Sequence, residues 1–190
     1  VAEYVEVIRV LEGAEGLAAY ELNISCPNVD HGGAEFGLDP ASTTEVVTAA
    51  RQAAKRSLWV KLAPNADVKA IGRAAEAAGA DALTVANTYP AMSIDPRSGQ
   101  SRLGRLTGGL SGPAIKPITL RLVYELSRTV KLPIIGLGGI ETAQDAVEYL
   151  AAGATAIQVG TAHFADPRAS QNVVEGLRHH CNEVKHIYNQ

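Results

Sequence analysis

The chain has 190 residues, of which 46% are apolar, and its formal net charge is −3. No apolar run approaches the ~20 residues of a membrane-spanning helix. The 17 basic residues are scattered among 20 acidic ones, so no cationic stripe for nucleic-acid phosphates is visible. Two cysteines far apart and a charged start without signal-peptide character favour a reducing compartment. We therefore expect a soluble, cytoplasmic protein with no nucleic-acid or membrane partner.

Short apolar runs alternate with alanine-rich segments along the chain. The first residues already have a helical pattern and begin with valine, so we expect further sequence upstream. Compact apolar runs predict five strands, at residues 18–24, 58–62, 82–87, 133–137 and 156–159. Apolar residues at three- and four-residue spacing predict helices at residues 43–56, 68–78, 113–129, 143–152 and 170–188.

This alternation predicts an α/β fold of parallel strands joined by crossover helices. Five such units fit an open doubly wound sheet or part of an eight-stranded barrel. An open nucleotide-binding sheet is expected to carry its glycine motif after the first strand, whereas here the glycines follow the last two. We therefore predict the last five βα units of a (β/α)8 TIM barrel. Since no linker composition interrupts the pattern, residues 1–190 are assigned to the C-terminal part of one domain.

Two segments are unusual for loops of such a barrel. Residues 89–112 form a long connection rich in glycine, proline and charge, and we expect a hairpin beside the site. Residues 29–40 are glycine-rich and follow the first strand, which suggests a mobile lid.

Paired glycines and a glycine–threonine pair follow the last two predicted strands. Gly138 and Gly139 precede a helix, and Gly160 and Thr161 precede a short turn. Backbone N–H groups at such positions can bind a phosphate, and the last two βα loops are where barrels usually do so. Each pair alone could simply end its strand. Together they favour a cofactor that carries a phosphate.

Polar residues also stand at the ends of the earlier strands. Lys61 lies in an otherwise apolar run, where it either supports negative charge on a cofactor ring or extends to solvent from the barrel rim. The candidates for binding a flat ring rich in amide groups are Asn23, Asn28, Asn87 and Thr88. Any one of these four could instead be an ordinary turn residue.

Cys26 leaves the first strand at the same end of the barrel. A cysteine there can be a nucleophile, a metal ligand, a proton acceptor or an inert apolar residue. Metal binding has little support because no cysteine or histidine lies at ligand spacing, and we predict no metal site. Nucleophilic catalysis lacks an evident histidine base. The residues themselves leave proton transfer and an inert role open.

Several motifs together resemble the class 1 dihydroorotate dehydrogenases, the soluble branch with a cysteine base. The most specific is ELNISCPN at residues 21–28. It is supported, in the order of that family, by VKL at 60–62, NT at 87–88, TGGLSGPAIKP at 107–117, IGLGGI at 135–140 and QVGTA at 158–162. The segment 107–117 most resembles the NAD-linked subclass. The resemblance covers nearly the whole chain, but the family's upstream units, with a further lysine and asparagine loop, are not in this sequence.

The resemblance implies that the enzyme oxidises dihydroorotate to orotate in pyrimidine biosynthesis and passes hydride to flavin mononucleotide (FMN). Cys26 would be the general base. Lys61 would contact the flavin ring near N1 and O2, and Gly112 would lie against the ring. The phosphate would be held by Gly138, Gly139, Gly160 and Thr161, and the pyrimidine would be bound by Asn23, Asn28, Asn87 and Thr88.

The resemblance also implies partners. Subunits of the NAD-linked subclass pair with an electron-transfer subunit that carries FAD and an iron–sulfur cluster, so we expect a homodimer within a heterotetramer. Two other functions stay open. One is pyrimidine reduction like that of dihydropyrimidine dehydrogenase, which has a similar cysteine motif. The other is a flavin- or phosphate-binding half-barrel without catalytic activity.

Overall fold

Parallel strands and helices alternate along the part of the chain that the structure describes. This computed structural model describes residues 1–25 and 36–188, with side chains as far as Cys181. The elements are α1 (Ala2–Glu12), β1 (Ala19–Asn23), α2 (Pro40–Ala53), β2 (Ser57–Lys61), α3 (Val68–Ala77), β3 (Ala82–Val85), β4 (Tyr89–Ala91), β5 (Gly108–Leu110), α4 (Lys116–Ser127), β6 (Ile134–Leu137), α5 (Ala143–Ala152), β7 (Ala156–Gln158) and α6 (Ala169–Tyr188). Short 3₁₀ helices at Pro113–Ile115 and Thr161–Phe164 precede α4 and follow β7.

The main sheet has five parallel strands in the order β1-β2-β3-β6-β7. Neighbouring strands lie about 4.8 Å apart, so a flat sheet would separate the two outer strands by roughly 19 Å. Yet Gln158 Nε2 on β7 donates a 2.8 Å hydrogen bond to Glu21 Oε2 on β1. The two side chains meet because the sheet curls into an arc. The prediction of a partial β/α-barrel is therefore confirmed.

The two faces of this arc are distinguished by alternate burial. On β1 and β2 the residues Tyr20, Leu22, Leu58 and Val60 are buried and point towards the helices. The intervening residues are less buried and face the concave side of the sheet, which corresponds to the barrel interior. Alternation with period two is the geometric consequence of the pleat. It places polar side chains such as that of Lys61 in the interior.

The start of α2 differs from the prediction. The helix begins at Pro40 rather than at residue 43 because Asp39 caps it, accepting a 2.8 Å hydrogen bond from Ser42 N. Proline suits the first helical position since its missing N–H has no partner there in any case. The helix ends at Ala53, before the predicted residue 56, and Ala54 is already extended.

The long connection after β3 contains the predicted hairpin. Strands β4 and β5 pair antiparallel, with Tyr89 opposite Leu110. The hairpin lies next to the carboxyl end of β3, since a Cβ atom on Gly109 would overlap the Thr88 hydroxyl. Among the described residues, no helix is both long enough and apolar enough to cross a membrane.

Candidate active site

A cavity opens where β2, β3, β6 and β7 end. It is bounded by eight residues predicted from the sequence, namely Lys61, Asn87, Thr88, Gly112, Gly138, Gly139, Gly160 and Thr161. Sequence reasoning missed several other wall residues, among them Ser111, Glu141 and Gln158. Five segments distant in sequence thus contribute to a single cavity.

The loop after β6 has to contain glycine. Gly138 and Gly139 have φ angles of 145° and 68°. Residues with a Cβ atom rarely adopt such positive φ angles. A Cβ atom on Gly139 would lie 2.7 Å from Gly112 O, and one on Gly138 would lie 2.9 Å from Thr119 Oγ1. The two glycines therefore let the loop pack directly against the segment that begins α4.

A buried tyrosine on the helix after this loop holds the loop in position. Tyr149 on α5 is fully buried and donates a 2.6 Å hydrogen bond from its hydroxyl to Gly138 O. Burial raises the pKa of Tyr149, so the hydroxyl stays protonated and remains a donor. Its ring occupies the space that a side chain on Gly136 would need. The position of Gly138 is thus set by both packing and a hydrogen bond.

The glycine loops offer hydrogen-bond donors to the cavity. The backbone N–H groups of Gly139, Ile140, Gly160 and Thr161 donate to no other residue in the described part of the chain. All four residues line the cavity. A Cβ atom on Gly160 would meet none of the described, non-adjacent residues within 4 Å. Unpaired N–H groups beside open space are the arrangement that binds a phosphate, so these residues fit a phosphate-bearing cofactor.

Lys61 supplies positive charge elsewhere in the cavity wall. It is the last residue of β2 and is half-buried. Its ammonium group has no hydrogen bond or ion pair with any residue that the structure describes. Because desolvating an ammonium group without a partner costs free energy, its position favours an anionic or electron-rich ligand in the cavity.

Side-chain amides and a hydroxyl form a network at the ends of β1 and β3. Asn87 Nδ2 donates to Ser25 Oγ at 2.8 Å and to Asn23 Oδ1 at 3.1 Å. Ser25 Oγ also donates to Asn23 Oδ1 at 3.0 Å. Asn87 lines the cavity, whereas Asn23 does not and is connected to it through Asn87. Sequence reasoning missed Ser25, although it lies within the motif that contains Asn23.

A second polar network lies deeper on the concave face. Glu21 Oε2 accepts hydrogen bonds from Thr84 Oγ1 at 2.6 Å and from Gln158 Nε2 at 2.8 Å. These bonds connect β1, β3 and β7 and orient Gln158 in the cavity wall. The available signal in the sequence was a polar residue at an alternate position of an otherwise apolar strand.

Three predictions concern residues outside the described part of the chain. They are Cys26, Asn28 and residues 29–35 of the predicted lid. Residues 36–40 of that segment lead into α2. Among the described residues, no group of three or more His, Cys, Asp or Glu side chains is arranged to hold a metal ion.

A model of the dihydroorotate dehydrogenase family matches residues 1–181. A protein from Solibacter usitatus named putative dihydroorotate dehydrogenase A (fumarate) is 55% identical over 176 residues. The catalytic subunits of dihydroorotate dehydrogenase B (NAD(+)) from Trichlorobacter lovleyi and Bacteroides thetaiotaomicron are 51% and 46% identical. These alignments cover 92%, 92% and 98% of this chain but 58%, 58% and 64% of the relatives.

The fold is also similar to that of a solved structure. A crystal structure of ligand-free DHODH from Eimeria tenella superposes with a TM-score of 0.73 at 27% sequence identity. The match covers 93% of this chain and 55% of the other. The chain thus spans less than two thirds of the length of the proteins that it resembles.

Proposed function

The chain belongs to the dihydroorotate dehydrogenase family, and we propose that the protein containing it oxidises dihydroorotate to orotate with FMN as cofactor. The observation that carries this proposal is the cavity in which both glycine loops and Lys61 meet. Free backbone donors suit a phosphate, and an unpaired ammonium group suits an electron-rich ring. FMN combines these two features in one molecule.

We assign the cofactor side of the cavity to two groups of residues. Gly138, Gly139, Gly160 and Thr161 would hold the phosphate through their backbone. Lys61 would contact the flavin ring, and Gly112 would lie against that ring, where its missing side chain leaves room. When bound, FMN supplies the ring that accepts hydride from dihydroorotate. The protein's own contribution there is to bind and orient.

The substrate side is assigned to the strand-end amides. Asn23, Asn28, Asn87 and Thr88 would bind the pyrimidine ring and its carboxylate. The hydrogen bonds of Asn87 to Ser25 and Asn23 hold its amide in one orientation, which supports a role in positioning substrate. Substrate binding loses less conformational entropy when the amide is already held in one orientation.

Cys26 is proposed as the general base that removes a proton from C5 of dihydroorotate. An unperturbed thiol has a pKa of ~8.5, so a modest fraction is thiolate near neutral pH. The assignment comes from family membership and from the place of Cys26 in the motif at residues 21–28.

The visible spectrum of the purified full-length protein tests this function. Under anaerobic conditions dihydroorotate should reduce the bound flavin and bleach its absorbance band. Dihydrouracil, which lacks the carboxylate, is the matched control and should leave the band unchanged. Bleaching by dihydrouracil but not by dihydroorotate would indicate a pyrimidine reductase instead. A protein that binds flavin but reacts with neither compound would be a binding module.

The electron acceptor is a further part of the proposal. Two of the relatives are named catalytic subunits of an NAD(+) enzyme, which supports a partner subunit for electron transfer. We propose that this partner carries FAD and an iron–sulfur cluster, and that two copies of each subunit assemble. Turnover of dihydroorotate with NAD⁺ should require the partner. Rapid turnover with fumarate by the isolated subunit would overturn this assignment and favour the fumarate-linked type.

A further inference from the structure

An ion pair joins α4 and α5, the two helices next to the loop that contains Gly138 and Gly139. Lys116 Nζ, at the start of α4, lies 2.6 Å from Asp145 Oδ1 and 3.1 Å from Glu148 Oε2 on α5. The side chains of Lys116 and Asp145 are only 24% and 15% exposed. Neither residue lines the cavity. The pair therefore acts on the cavity only through the backbone segments that it connects.

The other oxygen of Asp145 holds the end of the loop after β6. Asp145 Oδ2 accepts hydrogen bonds from Thr142 N at 2.8 Å and Glu141 N at 3.0 Å. Burial opposes ionisation, but the hydrogen bonds from Lys116, Glu141 and Thr142 outweigh it and lower the pKa of Asp145 to about 2. One ionised carboxylate thus connects α4 to the loop that contains Gly138 and Gly139.

The backbone of Lys116 is itself the surface against which this loop packs. A Cβ atom on Gly139 would lie 3.0 Å from Lys116 Cβ and 3.1 Å from Lys116 N. A small shift of α4 relative to α5 would therefore change the position of Gly139.

We propose that Lys116 and Asp145 are positioning residues that set the geometry of the glycine loops and thereby the affinity for the phosphate end of the cofactor. This inference rests on the proposed function of the same cavity. It predicts that breaking the ion pair weakens binding of a flavin that carries a phosphate more than binding of one that does not. A loss of general stability would weaken both equally.

The test is a pair of fluorescence titrations of the full-length apoprotein, one with FMN and one with riboflavin. Lys116→Met removes the ammonium group and keeps most of the side chain. We expect FMN affinity to fall roughly tenfold, the ratio that corresponds to one net charge-assisted hydrogen bond, with riboflavin affinity unchanged. Lys116→Arg keeps the positive charge and should restore FMN binding.

Arg121→Met is the matched control. Arg121 lies on the same helix and forms an ion pair with Glu125 at 2.6 Å, but it is 59% exposed and does not line the cavity. Both flavins should bind this variant as they bind the wild type. If Lys116→Met fails to fold, Lys116→Gln provides the same comparison with a more polar side chain.

Equal losses of FMN and riboflavin affinity in the Lys116 variants would overturn the inference, and so would an unchanged FMN affinity. In both cases tight FMN binding by the wild type would leave the proposed function intact. A wild-type protein that binds neither flavin would instead overturn the proposed function, and the inference would fall with it.

Discussion

The two sides of the cavity are built in different ways. On the side of β6 and β7 the wall is made of backbone, with glycines packed so closely that Gly139 has no room for a Cβ atom. On the side of β2 and β3 the wall includes the side chains of Lys61, Asn87 and Thr88. The amide of Asn87 is oriented there by hydrogen bonds to Ser25 and Asn23. The first side depends on main-chain geometry and the second on donors and acceptors.

Under the proposed function, these two sides would bind two kinds of ligand. A phosphate is recognised by N–H groups that any sequence could supply, provided that the chain turns tightly enough. A pyrimidine has specific edges and needs particular side chains at particular places. Adding a side chain to a glycine of the loops after β6 and β7 should therefore weaken binding of the phosphate-bearing cofactor. Removing a polar side chain at the ends of β1 and β3 should instead weaken binding of the pyrimidine. These two regions are called the glycine side and the strand-end side.

The largest expected effect comes from Cys26, the proposed general base. Cys26→Ala should slow flavin reduction by dihydroorotate ~10²–10⁴-fold, which is the usual contribution of a positioned general base. FMN affinity should stay nearly unchanged, since the residues proposed to hold the phosphate do not include Cys26. Stopped-flow absorbance of the full-length enzyme in a single turnover measures this step.

Cys26→Ser refines that result. The hydroxyl keeps the shape but is far less acidic, so the rate should be low near neutral pH and recover in part as the pH rises. Reduction of the alanine variant at the wild-type rate would show that another residue is the base.

The next effect is on the glycine side. Gly139→Ala forces a side chain into a φ of 68° and against Gly112 O at 2.7 Å. If binding requires the native loop, strain of about 1–3 kcal/mol should weaken FMN affinity roughly 10- to 100-fold. Gly99→Ala is the control, because Gly99 has a similar φ of 70° but its Cβ would contact no described, non-adjacent residue within 4 Å. FMN titrations that gave equal affinities for both variants would contradict this account.

A smaller effect is expected in acid, at Asp145 beside the glycine loop after β6. The pKa of Asp145 is lowered from 3.8 to about 2, so its ionisation stabilises the folded state above pH ~4 and this contribution is lost as the pH falls towards 2. The contribution at neutral pH is about 2 kcal/mol. The neutral amides of Asn23 and Asn87 do not titrate in this range.

Urea unfolding of the wild type and of Asp145→Asn measures this contribution. The difference in unfolding free energy should be constant at pH 5 and above and should shrink between pH 4 and pH 2. A difference that stayed constant through this range would show that the charge of Asp145 does not contribute.

Much of the glycine side could be predicted from sequence. Gly138, Gly139, Gly160 and Thr161 follow apolar strands directly, and the carboxyl ends of parallel strands meet at one end of a barrel. Local sequence patterns were sufficient to predict these residues, because each loop is marked by glycine directly after an apolar strand. The start of α2 was misjudged for a local reason too, since the cap formed by Asp39 and Pro40 precedes the apolar pattern that marked the helix.

The contacts across the arc could not be predicted in this way. Glu21 and Gln158 are 137 residues apart, and they meet only because the sheet curls by a particular amount. Likewise, the bond between Lys116 and Asp145 depends on how two helices pack. A polar residue at an alternate strand position indicates the face on which it lies, but its partner is set by tertiary geometry.

The most direct test of this division between the two sides measures two dissociation constants, for FMN and for orotate, in two variants of the full-length protein. Gly160→Ala adds a methyl group at a point where no non-adjacent atom of the described residues lies within 4 Å. The fold should therefore tolerate the methyl group, and its main effect should be on a bound ligand. Asn87→Ala removes the amide that lines the cavity at the end of β3.

Gly160→Ala should weaken FMN binding and leave orotate affinity unchanged at saturating FMN. Asn87→Ala should weaken orotate binding roughly tenfold, as expected for one lost hydrogen-bonding group, and leave FMN affinity unchanged. If both variants weakened the same ligand, or if Gly160→Ala bound FMN as tightly as the wild type does, the assignment of the two sides would be wrong.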